Sequence, residues 1–563
     1  MLSLLPTLAS DLLPFAALLL LAWLRPGLVE RFSIIPRLDR LGGKAPLVAA
    51  LVTFLIGLGL TGVRPPHPEI HDEFSYLLAS DTFASGRLTN PRPPSWHSFE
   101  SPHVLTTPTR QSKYPPSKGL LLALGQVLTG HPIVGVWIGM AGAAAALVWA
   151  LIARFSPGWA FFGGMLPAIR FGVFKWDAGL SWAYWLESYW GGELGLLGGA
   201  LVLGAALRLL RRPERRAALV LGLGTAVLAA NRPYEGVVVV LTIVLVLLLR
   251  LPSPTGLLGR VRTLAPALAA PILALVGLAA YSDAVVGNPW TLPHVVYTDQ
   301  YQHVGHFVWS SNLDPEFTPD SRIGRFHLSF GKARLEQLEA DGGGIRPLNL
   351  ALQAGFFLGA ALLLVLPLVI FDLRHDAVWL SLILFAMASA GNSVITVSTL
   401  HPHYFGPVSP VFIVLSLAAI GRVRPWRFQG RPIGKALSEA FVVACVLTFV
   451  VSVSLRAALY EAPQPFPASR HEINTRLAST PKPDLVIVSY SPNYPGGLEW
   501  VYSPADLDSG AVVWAHDLGE RQNRELIASF PGREVWRLTM GGGIDRLEPY
   551  SPRDSGDSDG YPK

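Results

Sequence analysis

The sequence predicts an all-α polytopic membrane protein with interfacial helices on its outer face and a small C-terminal α/β soluble domain. Three observations carry this expectation. First, 51% of the 563 residues are hydrophobic and only 15% charged, with a mean hydropathy of +0.39. The apolar residues are gathered in runs such as Val237 to Leu249 and Phe357 to Phe371, which lack the periodicity of amphipathic elements and so read as helices buried all round, in lipid or in protein. Second, the basic residues collect in short connectors between those runs, as the positive-inside rule requires of cytoplasmic loops. The net charge of +6 therefore reports topology, and nucleic acid is not an expected partner. Third, beyond Arg456 the composition becomes that of a soluble domain. The single cysteine, Cys445, lies inside an apolar run, which excludes a disulfide framework and the usual zinc spacings.

In chain order, Asp11 to Leu24 is the first apolar segment, extended by Leu2 to Leu5 if the helix starts early. It is kept as a helix, because no Lys or Arg precedes it and no small-residue cleavage site follows. Arg25, Arg31, Arg37, Arg40 and Lys44 place the next connector inside. Ala45 to Val63 then crosses outward, leaving residues 64–131 outside. Within them, Phe74, Leu77, Leu78 and Leu88 fall near one side of an expected amphipathic interfacial helix. The Pro-, Ser- and Thr-rich stretch Asn90 to Pro116 reads as a long loop. Lys118 to Leu128 is about half the length of a span and reads as a second interfacial helix.

The spans expected next are Ile133 to Ala153, Trp159 to Phe174, Gly192 to Leu210, Ala217 to Ala230, Val237 to Leu249 and Leu264 to Ala280. Ala217 to Leu251 is too short for two full crossings and a turn. Its tip, Asn231-Arg232-Pro233-Tyr234-Glu235-Gly236, is thus expected slightly below the outer surface, where Arg232 and Glu235 need each other or a ligand. Residues 281–349 form a second outer loop, with helix around Lys332 to Ala340. Leu350 to Phe371, Val378 to Val397, Val408 to Ile420 and Ala436 to Leu455 complete about twelve spans with both ends outside. Dropping the first helix would satisfy the same basic loops.

Residues 1–456 thus read as one transmembrane domain and 457–540 as an outer α/β domain, with strands at Asp484–Ser489, Ala511–Ala515 and Glu534–Leu538 and a helix at Gly519–Phe530. It has neither a Gly-rich phosphate loop nor a metal spacing, so it reads as an accessory or acceptor-handling module. Residues 541–563, rich in Gly, Ser, Asp and Pro, are expected to be disordered.

The chemistry-bearing residues bracket the first outer segment. His71-Asp72-Glu73-Phe74-Ser75-Tyr76 opens it and Lys113-Tyr114-Pro115-Pro116 closes it. Two adjacent carboxylates at a membrane exit and a cation at the re-entry point suit an acceptor hydroxyl held beside a lipid phosphate. Asp72 and Glu73 equally suit the N-terminus of a surface helix, whose dipole favours negative charge. Arg232 with Glu235 suits an ion pair closing a hairpin. Glu187, Tyr189 and Trp190 suit interface anchors, and His401 with His403, at i and i+2, make a poor metal pair.

This order of elements resembles the GT-C superfamily of polytopic glycosyltransferases, in particular the bacterial branch related to protein mannosyltransferases and to the lipid A aminoarabinose transferases. The stretches HDEFSYLLASDTFASGRLTNP, SKYPPSKGLLLALGQVL, ESYWGG, NRPYEG, HPHYFGP and VVWAHDLGERQNRELI are similar to those of one largely uncharacterised bacterial family within it. The resemblance covers most of the chain. It implies an inverting transfer of a sugar from a polyprenyl-phosphate donor to an acceptor hydroxyl on a glycan, lipid or protein, at the outer face of the cytoplasmic membrane. It casts Asp72 as general base, Glu73 as supporting acid and Lys113 as donor-phosphate ligand, joined by Arg232, His403 and Tyr404. His71, Tyr76, Tyr114, Glu187, Tyr234 and Glu235 are the expected substrate contacts. Where family members carry Arg-Tyr before a Pro-rich span, this chain has His403-Tyr404, so a permanent positive charge there is in question. No cofactor is expected to be required. A divalent cation stays open, since some relatives use one and Asp72 with Glu73 offers the one obvious oxygen cluster. The alternative function is a lipid-linked sugar flippase or transporter, which would place its ionisable groups near the bilayer midplane. The expectation is that the residues named for the donor and the base collect at outer helix ends.

Overall fold

The computed structural model describes residues 4–31, 33–170, 184–302, 307, 309, 321–340, 355–359, 362–395, 402–459, 465–492, 494–541 and 545–551. His401, the loop residues 341–349 and the tail beyond Ser551 lie outside them, as do parts of the spans expected at Trp159 to Phe174, Leu350 to Phe371 and Val378 to Val397. The chain divides into two compact units. One is Met1–Pro65, Val136–Val276 and Gly343–Glu461, and the other is Pro66–Gly135, Gly277–Gly342 and Ala462–Lys563. Most of the two segments expected as outer loops thus belongs to the same unit as the C-terminal α/β domain.

The first unit is helical. Among the described residues, the helices long and apolar enough to cross a membrane are Gly42–Thr61, Ile133–Ile152, Pro233–Arg250, Gly256–Val286 and Ile433–Ser454, some of which run on into the second unit. Two bent pairs, Leu12–Leu24 with Pro26–Asp39 and Pro402–Val408 with Pro410–Val423, raise these 5 spans to as many as 7. The chain is therefore a multi-pass membrane protein, and among the described residues fewer spans qualify by length and composition than the expected dozen. Two of the expected spans miss on length. Glu193–Leu209 and Arg215–Asn231 are 17 residues each, and at about 1.5 Å per residue such helices fall short of a hydrocarbon core of roughly 30 Å. The first helix does start early, at Leu4.

Local sequence sets the breaks. Arg232 precedes a proline and adopts φ −136°, ψ 72°, outside the helical region that a following proline disfavours. Arg215–Asn231 therefore stops and Pro233–Arg250 starts anew with Pro233 in its first turn. Glycine allows the Glu193–Leu209 helix to lie directly on the Pro402–Val408 turn, since a Cβ on Gly199 would stand 1.9 Å from the Pro407 carbonyl oxygen.

The second unit is assembled from three distant stretches of chain. His71–Ala84 forms a helix as expected, but it is not an interfacial helix with one wet face. Glu73, Phe74, Ser75, Tyr76, Leu78, Ala79, Ser80 and Thr82 are all buried, whereas Leu88 lies beyond the helix and is exposed. Pro116–Thr129 packs against it closely, because Gly119 approaches Ala79 where a Cβ would leave only 2.7 Å. The loop between them is ordered by a two-stranded antiparallel ribbon, β1 (Val104–Leu105) and β2 (Gln111–Ser112).

The C-terminal domain holds a four-stranded sheet. Its strands are β3 (Asp484–Tyr490), β4 (Val512–His516), β5 (Glu534–Met540) and β6 (Arg546–Pro549), in the order β4-β3-β5-β6. β3 runs parallel to β4 and β5, and β6 is antiparallel to β5. The first three strands match the hydrophobic runs, but β6 falls in the stretch read as disordered. Both sheet faces are covered, as parallel strands require. Val486 and Val488 point into a core with Trp500, Trp514 and Leu538. Leu485 and Ile487 pack on the opposite face with Leu526, Phe530 and Phe99, the last contributed by the segment between the His71–Ala84 and Pro116–Thr129 helices.

Candidate active site

Asp72 occupies the first turn of the His71–Ala84 helix, where the helix dipole favours a carboxylate. Its side chain is 25% exposed. The Tyr114 hydroxyl donates a short hydrogen bond to Asp72 Oδ1, and Oδ2 lies 3.7 Å from His103 Nε2. Tyr114 is braced by Tyr76, whose ring stacks on it at 4.6 Å. Lys113 Nζ sits 5.2 Å from the Tyr114 ring centroid and 4.7 Å from that of Tyr297, in range for cation–π attraction. Burial pushes the Lys113 ammonium down to about 8, partly opposed by the Asp72 carboxylate. His71, Asp72, Tyr76, Lys113 and Tyr114 are thus brought together.

Glu73 has another task. Its Oε2 accepts the backbone N–H of Glu69 at 2.7 Å and that of Ile70 at 3.4 Å, binding donors that the helix start leaves unpaired. A buried carboxylate so engaged is a cap. Glu73 thus takes the helix-capping use that the sequence left open for the acidic pair. Glu73→Ala is expected to cost roughly 0.5–2 kcal/mol of stability, as lost caps do. Glu73→Gln keeps an acceptor oxygen and should retain turnover per folded molecule. Thermal unfolding and turnover measured together check both, and a collapse of turnover in Glu73→Gln would restore Glu73 to the chemistry.

Several residues at the site went unnoticed in the sequence. His103 has φ 66°, an uncommon conformation outside glycine that signals a constrained position. It is clamped there from three sides. Its N–H donates to the Tyr297 hydroxyl oxygen at 2.8 Å, and its carbonyl accepts from Ser75 Oγ at 2.6 Å and from the Lys113 N–H at 3.1 Å. Tyr297 is also 2.8 Å from His327 Nε2. Having accepted from the His103 N–H, the hydroxyl is free to donate its own proton to that ring. Burial drives His103 and His327 well below the usual histidine range, reinforced in both by Lys113 and His71 and in His327 also by His103, so both rings are neutral near pH 7. His71 is likewise held down by burial. The one available signal was compositional, namely the His- and aromatic-rich character of residues 281–346.

The remaining expected residues lie in the other unit. Arg232 Nη1 is 3.4 Å from Glu235 Oε1, and its guanidinium stands 4.8 Å over the Tyr404 ring. The Tyr234 hydroxyl donates to the Gly391 carbonyl at 2.8 Å. Tyr234, Glu235, Asn392 and Tyr404 line a small cleft with apolar walls from Val238, Val239 and Val408. His403 is buried, with its ring edge-on to Trp190 at 4.5 Å. Glu187 is buried at the end of the short helix Tyr184–Glu187. The Arg232–Glu235 contact is the hairpin-closing pair that the sequence also allowed.

A divalent cation would need several oxygen or nitrogen donors around one point. Glu73 is turned to its cap, and among the described residues no group of three His, Cys, Asp or Glu side chains could hold a metal ion. These residues do not fit a cation, and the chemistry below is derived without one.

No protein-family model and no curated protein sequence matches the chain. Solved structures similar to it include ArnT from Cupriavidus metallidurans bound to undecaprenyl phosphate, with a TM-score of 0.47, 13% identity and 88% of this chain aligned to 92% of that one. Another is an Archaeoglobus fulgidus oligosaccharyltransferase in complex with Zn and sulfate, with a TM-score of 0.47, 13% identity and 87% of this chain aligned to 68% of that one.

Proposed function

We propose that this chain is an inverting membrane glycosyltransferase. It moves a sugar from a polyprenyl-phosphate donor to a hydroxyl of a glycan, lipid or protein acceptor at the outer face of the bacterial cytoplasmic membrane. The observation that carries this reading is the setting of Asp72. It is a partly exposed carboxylate on a helix N-terminus, fixed by the Tyr114 hydroxyl and followed in the same cluster by the buried ammonium of Lys113.

Asp72 takes the proton of the acceptor hydroxyl as its oxygen attacks the anomeric carbon. The bond from that carbon to the phosphate oxygen breaks on the opposite side, and the electron pair leaves with the phosphate. A single displacement without a covalent sugar–enzyme intermediate inverts the anomeric centre. Lys113 stabilises the negative charge gathering on the phosphate, and its burial strengthens that interaction. Tyr114 and Tyr76 hold the carboxylate in one rotamer, so that little reorganisation remains for the reaction itself.

The test compares glycoconjugates by mass spectrometry from cells carrying the wild-type chain, no chain, or Asp72→Asn. A product present only with the wild type supports transfer. Identical profiles in the three strains, with sugar-lipid translocation lost instead, would favour the flippase reading.

A further inference from the structure

Tyr502 lies in the C-terminal domain, 431 positions from His71, yet it reaches the first turn of the His71–Ala84 helix. Its ring lies flat on Phe74, with centroids 4.1 Å apart and planes 6° from parallel. Its hydroxyl is 2.8 Å from His71 Nδ1. The other ring nitrogen, Nε2, is buried and has no hydrogen-bond partner. Buried polar atoms without partners are rare in folded proteins, and a hydroxyl-bearing substrate is the chemistry that would supply one next to Asp72.

The loop that carries Tyr502 is seated by side chains from elsewhere in the unit. Arg110 donates to the carbonyls of Ser503 at 2.6 Å and Pro504 at 2.7 Å, and Arg470 to those of Trp500 at 3.0 Å and Tyr502 at 2.6 Å. The Ala505 N–H donates to Asp81 Oδ2 at 2.8 Å. Planar guanidinium forks reading consecutive carbonyls fix a backbone path in a way that a lysine could not. Arg470 also stands 4.9 Å over the Phe74 ring, on which Tyr502 stacks.

We propose that Tyr502 is a positioning residue for sugar transfer: it fixes the His71 ring so that Nε2 meets a hydroxyl of the substrate, and the seated C-terminal domain is thereby part of the active site. This rests on the reading of Asp72 as the base. The group held is one that faces Asp72 and Glu499 as anionic neighbours and Arg322 as a cationic one, so its surroundings are set by all three stretches of the unit.

A double-mutant cycle on the full-length protein in membranes tests it. Tyr502→Phe keeps the stack and removes one hydroxyl, and it should lower product formation about tenfold, as the loss of one well-made hydrogen bond does. In a His71→Ala background the same change should have no further effect, whereas a role confined to folding would add its loss in either background. A fully additive cycle overturns the proposal. The second readout needs no turnover: the rate at which diethyl pyrocarbonate modifies His71, followed by mass spectrometry, should rise several-fold in Tyr502→Phe and in Arg470→Lys. An unchanged rate in Tyr502→Phe also overturns it. If the wild type makes no product, the transferase reading fails by itself, and the modification rates still decide whether Tyr502 holds His71.

Discussion

Asp72→Asn is expected to lower sugar transfer by about 10²- to 10⁴-fold, the usual worth of a positioned general base, with membrane insertion and folding retained. Asparagine keeps the shape of the side chain and an oxygen able to accept from the Tyr114 hydroxyl. It cannot take a proton. The helix end loses one favourable charge, a change of roughly 0.3–1 kcal/mol that a folded multi-pass protein tolerates. Product quantified by mass spectrometry, beside the unfolding midpoint of the purified variant, separates the two effects. Turnover close to wild type in a folded Asp72→Asn protein would falsify the assignment of the base.

Lys113→Met should reduce transfer by about 10²- to 10³-fold, as removal of a single preorganised charge-stabilising donor does. The methionine fills much of the space between the Tyr114 and Tyr297 rings. The pH dependence is the sharper signature. The ammonium is held down to about 8 by burial, so it is charged below that pH and loses its proton above it. Donor KM in the wild type should therefore rise as pH climbs through about 8, by roughly tenfold per unit beyond it. Lys113→Arg, which stays protonated, should show a flat profile over the same range, though with weaker binding below pH 8 because the planar guanidinium fits a different geometry. A wild-type KM that is level from pH 7 to pH 10 would remove Lys113 from the donor site.

The parts of this protein that could be read in sequence are those set by neighbours along the chain. Apolar runs located the helices, and Leu485 to Val488 announced a strand buried on both sides. The acidic pair with the lysine marked the region of the candidate site. What could not be read depends on distant partners. Asp72 and Glu73 are alike in sequence, and only the path of the backbone at Glu69 and Ile70 marks Glu73 as the cap. Phe74 and Leu78 looked like the dry side of an interfacial helix, but Tyr502 and Ala505 pack with them in one buried cluster. His103 carried no local signal, because its backbone conformation is imposed by Tyr297, Ser75 and Lys113. β6 was hidden by a Gly- and Asp-rich composition, since its four residues gain their order by pairing with β5.

The wide separation of His71 and Tyr502 along the chain also has a bearing on biosynthesis. Translation proceeds at about 5–20 residues per second, so the 431 positions between them correspond to a delay of roughly 20 to 90 seconds on the ribosome. Throughout that interval the nascent polypeptide already displays its carboxylate, but the tyrosine that meets its neighbour has yet to be made. On the role proposed for Tyr502, competence for turnover is acquired late, only after the C-terminal domain has been made, and a product terminated before it would lack activity.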